Sequence, residues 1–237
     1  MYFCENCEKE TSRLIDTKIK CTNCEYEITA EKGLGRALVA YTNFFDEIDI
    51  ILEDRELSCN ELAQLYWSFS DELMKYRCTS AGFSGFSELL VFRLVLNLLG
   101  GLKVFERKQL TTDLCEYVND EITVQQNSSF EITSSNAKQY RISPDIAILR
   151  DGLLQSVISI KTYLLGPTAL EEELVKIDLI HKEYPQLKVL LLVFSSGTSK
   201  NCDKILSEFS EDKDWFKTQF LRERDETPVS DIIDFVL

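Results

Sequence analysis

Apolar residues at Leu34, Leu38, Tyr41, Phe45, Ile48 and Leu52 recur every three or four positions, which predicts an amphipathic helix from Glu31 to about Arg55. Ser58-Cys59-Asn60-Glu61 has the form in which a hydroxyl and a carboxylate each take up a backbone N–H at a helix start. Leu62, Leu65, Phe69 and Leu73 follow, so a second helix should run to about Arg77. Thr79 to Gly85, with its two glycines, reads as a loop or hinge, and Ser87–Leu96 reads as a third, nearly all-apolar helix. Glu88 then falls in that helix's first turn, where the dipole favours a carboxylate.

Beyond Gly100-Gly101 the pattern shortens to strand-like pieces at Leu102–Glu106 and Ile122–Gln126, with a polar insertion at Gln125–Gln139 that reads as a loop or edge hairpin. Two apolar runs, Tyr140–Leu149 and Leu154–Tyr163, flank Arg150-Asp151-Gly152, a hairpin signal. Thr168-Ala169-Leu170-Glu171 repeats the capping pattern and opens a helix to about Glu183, where Tyr184-Pro185 stops it. A buried strand at Lys188–Phe194, a helix at Ser199–Phe209, a short strand at Thr218–Leu221 and a terminal helix at Val229–Leu237 complete the chain. Helices alternating with strands after residue 86 belong to the α/β class.

Composition narrows the picture. The 237 residues are 44% hydrophobic and 28% charged, with 9 Gly and 4 Pro, as in a globular protein with a sizeable core. The longest apolar run, Leu89–Leu99, is broken by Arg93 and Asn97 and falls short of the roughly 20 residues of a membrane span. The start, Met1-Tyr2-Phe3-Cys4-Glu5, has neither a basic region nor an apolar stretch of the secretory kind, which predicts a cytoplasmic protein without a membrane partner. Twenty-six Lys and Arg against 40 Asp and Glu give a net charge of −14, the wrong sign for a general nucleic-acid coat protein. A nuclease remains compatible, because it collects carboxylates for metal ions and confines its cations to one cleft. The single histidine, His181, falls in mid-helix and reads as a packing residue, so catalysis would run on carboxylates, lysine and metal.

Cys4-x2-Cys7 and Cys21-x2-Cys24, thirteen residues apart, offer four thiolates to one tetrahedral ion, with room for a hairpin between the two knuckles. Zinc is the expected ion; a disulfide pair or an iron–sulfur cluster is the alternative use of the same thiols. The flanking Tyr2-Phe3 and Ile19-Lys20, with Tyr26-Glu27-Ile28 after the second knuckle, resemble a zinc ribbon of the type in small RNA-polymerase subunits, over residues 1–30. Glu8 and Glu25 stand where a glycine commonly follows the second cysteine of each knuckle. So small a unit needs its ion for folding, and its 4 basic and 6 acidic residues suit a protein partner better than base reading. Cys59, Cys78, Cys115 and Cys202 lack ligand spacing and read as small buried apolar residues.

On the predicted hairpin stands Ser143-Pro144-Asp145, and thirteen residues later Ser159-Ile160-Lys161. With a helix before it and a helix and strand after it, this arrangement resembles the PD-(D/E)xK nuclease superfamily over residues 86–195. The resemblance implies a restriction-endonuclease-like core, a mixed central sheet flanked by helices, preceded by a small β zinc ribbon and a helical pair. It implies domains at 1–30 (ribbon), 31–80 (bridging helical pair) and 81–237 (nuclease-like domain). Asp145 matches the superfamily's metal-binding aspartate and Lys161 its lysine, while Ser159 stands where Glu or Asp is usual. Some restriction endonucleases of the superfamily have Ser-x-Lys and take the missing carboxylate from the next helix. Here that implies Glu172 or Glu173, Glu171 being engaged in the capping pattern, and Glu88 matches an additional glutamate on the helix before the hairpin.

Such a site would bind Mg²⁺ or Mn²⁺ through Asp145 and hydrolyse DNA as an endonuclease of restriction or phage-defence type, working as a homodimer because a double-strand cut needs two sites. The other reading is a non-catalytic nuclease-fold scaffold, or a zinc-ribbon interaction protein that docks a protein partner. Lys103, Arg107 and Lys108 form a small basic patch without naming a target. Strand alternation sets a geometric condition. A strict two-residue turn at Asp151-Gly152 would pair Asp145 with Ile158 and put Lys161 on the opposite face, so a longer loop or a bulge is required to pair Asp145 with Ser159.

Overall fold

The computed structural model describes residues 2–3, 10–11, 14–15, 18–20, 24–25, 27–29, 44, 48–75, 80–101, 115–118, 121–126, 128–133, 139–162, 166–194, 199–222 and 224–237. The expected ligands Cys4, Cys7 and Cys21, the greater part of the helix expected from Glu31, Cys78, the strand at 102–106 and the basic patch at Lys103, Arg107 and Lys108 lie outside the described residues.

The fold is mixed α/β. Its centre is a six-stranded sheet of order β13-β12-β11-β10-β7-β6, formed by β6 (Cys115–Val118), β7 (Ile122–Gln126), β10 (Ile146–Arg150), β11 (Leu153–Lys161), β12 (Lys188–Val193) and β13 (Phe216–Phe220). The strands β11, β12 and β13 run parallel, while β10, β7 and β6 continue antiparallel from β11. Parallel neighbours need a crossover, and helices α3 (Pro167–Glu183) and α4 (Lys200–Ser210) supply the two. Near the start of the chain, β1 (Tyr2–Phe3) pairs with β2 (Glu10–Thr11), and β3 (Leu14–Ile15), β4 (Lys18–Lys20) and β5 (Glu27–Thr29) form a three-stranded antiparallel sheet.

Each face of the central sheet carries its own apolar layer. On one, Ile146, Ile148, Ile158 and Ile160 meet the helical residues 48–54, α1 (Cys59–Lys75), α2 (Ser80–Leu98) and α5 (Val229–Ile233). On the other, Ala147, Val157, Val189 and Leu191 meet α3 and α4 through Leu170, Leu174, Ile177, Cys202 and Leu206. The burial of Cys59 and Cys202 agrees with their reading as small apolar residues. Among the described residues no helix is long and apolar enough to cross a membrane.

Local chemistry explains the boundaries. The backbone N–H of Ser58 donates to Glu61 Oε2 at 2.9 Å and that of Glu61 to Ser58 Oγ at 3.3 Å, the reciprocal cap expected at this helix start. Arg93, 1% exposed, donates from Nε to Asp49 Oδ1 at 2.6 Å and from Nη2 to Asp49 Oδ2, tying 48–54 to α2. Asn97 Nδ2 also donates to the Leu52 carbonyl at 2.7 Å. Helix α2 closes at Gly100 with a φ of 70°, a left-handed turn suited to glycine.

Two expectations are corrected. Residues 80–86 are helical where a loop was expected, because Phe86 is buried and its ring stands 4.2 Å from that of Phe69 and 5.1 Å from that of Phe44. Such packing outweighs the roughly 1 kcal/mol that each glycine costs in a helix. Glu88 therefore sits more than two turns into α2, and the first-turn dipole argument does not apply to it. Helix α3 begins with Pro167 behind an N-cap at Gly166, with no side-chain cap, so Thr168 and Glu171 form no capping box. Proline's fixed φ suits the first helical position and moves the boundary ahead of Thr168.

Candidate active site

The site begins with a register shift. Asp151 and Gly152 have φ of 51° and 76°, as a tight two-residue hairpin turn demands. From that turn Arg150 pairs with Leu153 and Leu149 with Leu154, yet Ile148 pairs with Ser156. Gln155 is thus one extra residue in β11, a β-bulge. Side-chain directions agree: Leu154 and Val157, three positions apart, lie in one apolar layer, and Ile158 and Ile160 lie in the other. Past the bulge Ile146 pairs with Ile158, and one further step sets Asp145 opposite Ser159 on the face shared with Lys161. The bulge meets the condition set by the sequence.

Chain punctuation frees Asp145 to reach this position. The expected run Tyr140–Leu149 is two strands: β9 (Gln139–Ile142) pairs with β8 (Phe130–Thr133) in a hairpin arm, and Ser143-Pro144-Asp145 bends before β10 begins at Ile146. Proline, lacking an N–H, fits such a break ahead of a strand. The Asp145 carboxylate turns to the neighbouring strand, where Oδ2 accepts from the Ile160 backbone N–H at 2.5 Å.

Helix α3 brings the next carboxylate. Glu173 lies on the face that holds Leu170, Leu174 and Ile177 against the sheet, and its Oε1 stands 3.7 Å from Lys161 Nζ. Its Oε2 stands 3.8 Å from Lys176 Nζ. Glu172 is brought to neither partner. One residue is a 100° turn of the helix, and Glu171 and Glu172 are exposed and outside the cleft lining, so of the glutamates weighed the structure brings Glu173 to Lys161.

Glu88 enters from α2 on the other side. Burial first, then the charge of Asp145, lifts its carboxyl from 4.5 to about 7, while a hydrogen bond from the Gln126 side chain and the charge of Lys161 pull it down. Asp145 is also raised, first by burial, and is opposed by the Ile160 N–H and by Lys161; the charge of Glu173 raises it further. Glu88, Asp145, Lys161 and Glu173 are therefore one coupled electrostatic unit. His181 stands apart, stacked on Trp215 at 3.7 Å, with Nδ1 3.1 Å from the Leu187 carbonyl, as its packing role predicts.

One member was missed in the sequence. Gln126 is 2% exposed, its side chain donates to Glu88, and its Oε1 is buried without a protein partner. The available signal was its phase: Ile122, Val124 and Gln126 alternate along one strand, and the third position of an inward-facing series is polar.

Asp145, Ser159, Lys161 and Glu173 open into a cleft of about 370 Å³ between the sheet, α3 and the β8–β9 arm. Among the described residues no three His, Cys, Asp or Glu side chains converge as a ready-made metal cluster. The donor set nevertheless suits a hard cation: the charge of Asp145 acts on the Glu88 carboxyl, and the amide of Gln126 that bonds Glu88 has its oxygen buried and without a partner among the described residues. Comparison with protein-family models, curated proteins and solved structures gives no match to this chain.

Proposed function

We propose that this protein is a Mg²⁺- or Mn²⁺-dependent DNA endonuclease with a restriction-endonuclease-like core of the Ser-x-Lys kind, serving restriction or phage defence as a cytoplasmic homodimer. The observation that carries the reading is the bulge at Gln155, which aligns Asp145, Ser159 and Lys161 on one face while Glu173 reaches Lys161 from the next helix. An unselected Pro-Asp and Ser-x-Lys would have no reason to meet this way.

Asp145, with Glu88 and Gln126 Oε1 beside it, would hold the cation. When bound, that ion neutralises phosphate charge and makes a water acidic enough to attack. Lys161 keeps a cation beside Asp145, where it stabilises charge developing on the phosphate. Glu173 orients Lys161, and the Ile160 N–H fixes the Asp145 carboxylate. Glu88, titrating near 7, is suited to hold or release a proton around neutral pH. Two such sites related by a twofold axis would cut both strands.

A zinc ribbon at residues 1–30 belongs to the same proposal. Cys24 lies in a turn, and Glu25 after it takes a φ of 60°, the left-handed conformation that a knuckle glycine would adopt. The small antiparallel pieces β1–β5 suit a ribbon, which would serve assembly or a protein partner. Zinc at one equivalent in the purified chain, lost on replacing Cys21 or Cys24 by serine, is the expected measurement.

A second reading, a non-catalytic scaffold, is favoured by Ser159 and by Glu173 facing two lysines. Calorimetric titration with Mn²⁺, paired with cleavage of mixed linear and circular DNA, separates the two. The nuclease binds Mn²⁺ through Asp145 and cuts; the scaffold does neither.

A further inference from the structure

The cleft beside the carboxylates is larger and more apolar than phosphodiester chemistry requires. Phe130, Leu154, Val157, Ile177, Ile180 and Val189 are the apolar part of its lining. Phe130 comes from the arm strand β8, which lies against α3, so an aromatic ring is part of the lining. The cationic side chains of the lining are Lys161, Arg141 on β9, whose Nη2 donates to Ser129 Oγ at 3.1 Å, and Lys176 on α3. Glu183 is a further acceptor in the lining, alongside Asp145 and Glu173.

We propose that this cleft seats one unpaired nucleobase of the strand being cut, so that the substrate is a single strand or a nucleotide turned out of a duplex. The inference rests on the nuclease reading for the position of the phosphate. A base is joined to its phosphate by one sugar, so a phosphate at Asp145 and Lys161 brings its base to the adjoining apolar wall. At about 370 Å³ the cleft falls at the small end of the roughly 300–1,000 Å³ typical of small-molecule pockets. That is room for a nucleotide and none for a stacked duplex. Every base has a π-face to stack on Phe130, which makes such a pocket tolerant of sequence. In a chain of net charge −14, Arg141, Lys161 and Lys176 are the cations placed to meet the flanking phosphates. Glu183 suits the exocyclic amine of a base.

The test uses the full chain with end-labelled oligonucleotides in Mn²⁺: a single strand, a perfect duplex, a duplex with one unpaired nucleotide, and single strands carrying one abasic position. A 2-aminopurine strand in EDTA reports base seating without cutting. The variants are Phe130→Leu, which keeps apolar burial and removes the ring, Phe130→Tyr, which keeps both, and Ile180→Trp, which fills the cleft; melting curves verify folding. The expected result is that the single strand or the unpaired duplex is cut at least about tenfold faster than the perfect duplex, and which of the two leads tells the source of the base. An abasic position beside the cut and Phe130→Leu each slow cleavage about tenfold, Ile180→Trp does so at least as much, and Phe130→Tyr restores it. Perfect duplex cut as fast as the rest, with folded Phe130→Leu unchanged, would overturn the base pocket and leave the nuclease reading standing. A 2-aminopurine response that Phe130→Leu abolishes, with nothing cut, would support the pocket and sink the nuclease reading. Neither response nor cutting overturns both.

Discussion

Asp145 accepts a hydrogen bond from the backbone N–H of Ile160, the residue immediately before Lys161. This bond couples the two strands at the end opposite the turn, beyond the place where Gln155 shifts their register. A carboxylate and a lysine fifteen or so positions apart in sequence become neighbours only because one extra residue turns the end of β11 over.

Inserting one alanine after Gln155 should therefore be far more damaging than deleting Gln155. With the bulge kept, the insertion pairs Asp145 with Ile158 and sends Lys161 to the other face. Cleavage should fall by at least about 100-fold, since misplacements of about 1 Å already cost that much. The melting temperature should drop as well, because Ile158 and Ile160 leave their apolar layer. Deleting Gln155 removes only the extra residue, keeps Asp145 opposite Ser159 and leaves Leu154 and Val157 on one face, so cleavage should stay near native. Cleavage assays and thermal melts on the two variants check this.

Glu173 and Glu172 should separate cleanly. Glu173→Ala removes the carboxylate that faces Lys161 and should lower Mn²⁺ affinity or cleavage by about 10–100-fold, the usual cost of losing an orienting partner. Glu172→Ala, on the exposed side of α3, should change neither. Titration calorimetry on both variants distinguishes them, and equal losses would count against the assignment.

Glu88 makes stability depend on pH. Its carboxyl is raised from 4.5 to about 7, so it favours the folded state fully below the lower value, and the advantage disappears as pH rises through the higher one. Metal-free protein should thus be less stable at about pH 8 than at about pH 5 through this group, by an amount on the order of 3 kcal/mol. Asp145, also raised, acts in the same direction. Glu88→Gln cannot ionise and should flatten the profile, and adding Mg²⁺ should narrow the gap between native and variant. Urea unfolding at a series of pH values is the measurement.

Asp49→Ala should be among the most damaging changes away from the cleft. It removes the Asp49 carboxylate from Arg93, which is 1% exposed, and breaking a buried pair from one side costs about 3–5 kcal/mol. Asp49→Ala with Arg93→Leu should recover part of the loss. Denaturant unfolding of the single and double variants measures the difference.

Much of this arrangement can be read from residue pattern alone. Strong periodicities located β7, β12, α3 and α4 to within about two residues, and the parity of Asp145 and Lys161 demanded a longer loop or a bulge, of which the structure has the bulge. What the pattern misses is decided by packing across the chain. Gly82 and Gly85 look like a loop until Phe86 is seen against Phe44 and Phe69. Thr168 looks like a cap until Pro167 claims the first helical position. The short edge strand β6 carries too little alternation to announce itself, and Gln126 acquires meaning only when Glu88 arrives from another element.

The central claim is best tested by incubating the native chain, Asp145→Ala and Lys161→Ala with mixed DNA substrates in Mg²⁺ or Mn²⁺. The account predicts metal-dependent cutting by the native chain, reduced about 100-fold or more in both variants while their melting curves stay cooperative. Cutting that survives in both variants, or none from a folded native chain that binds no Mn²⁺, would contradict it.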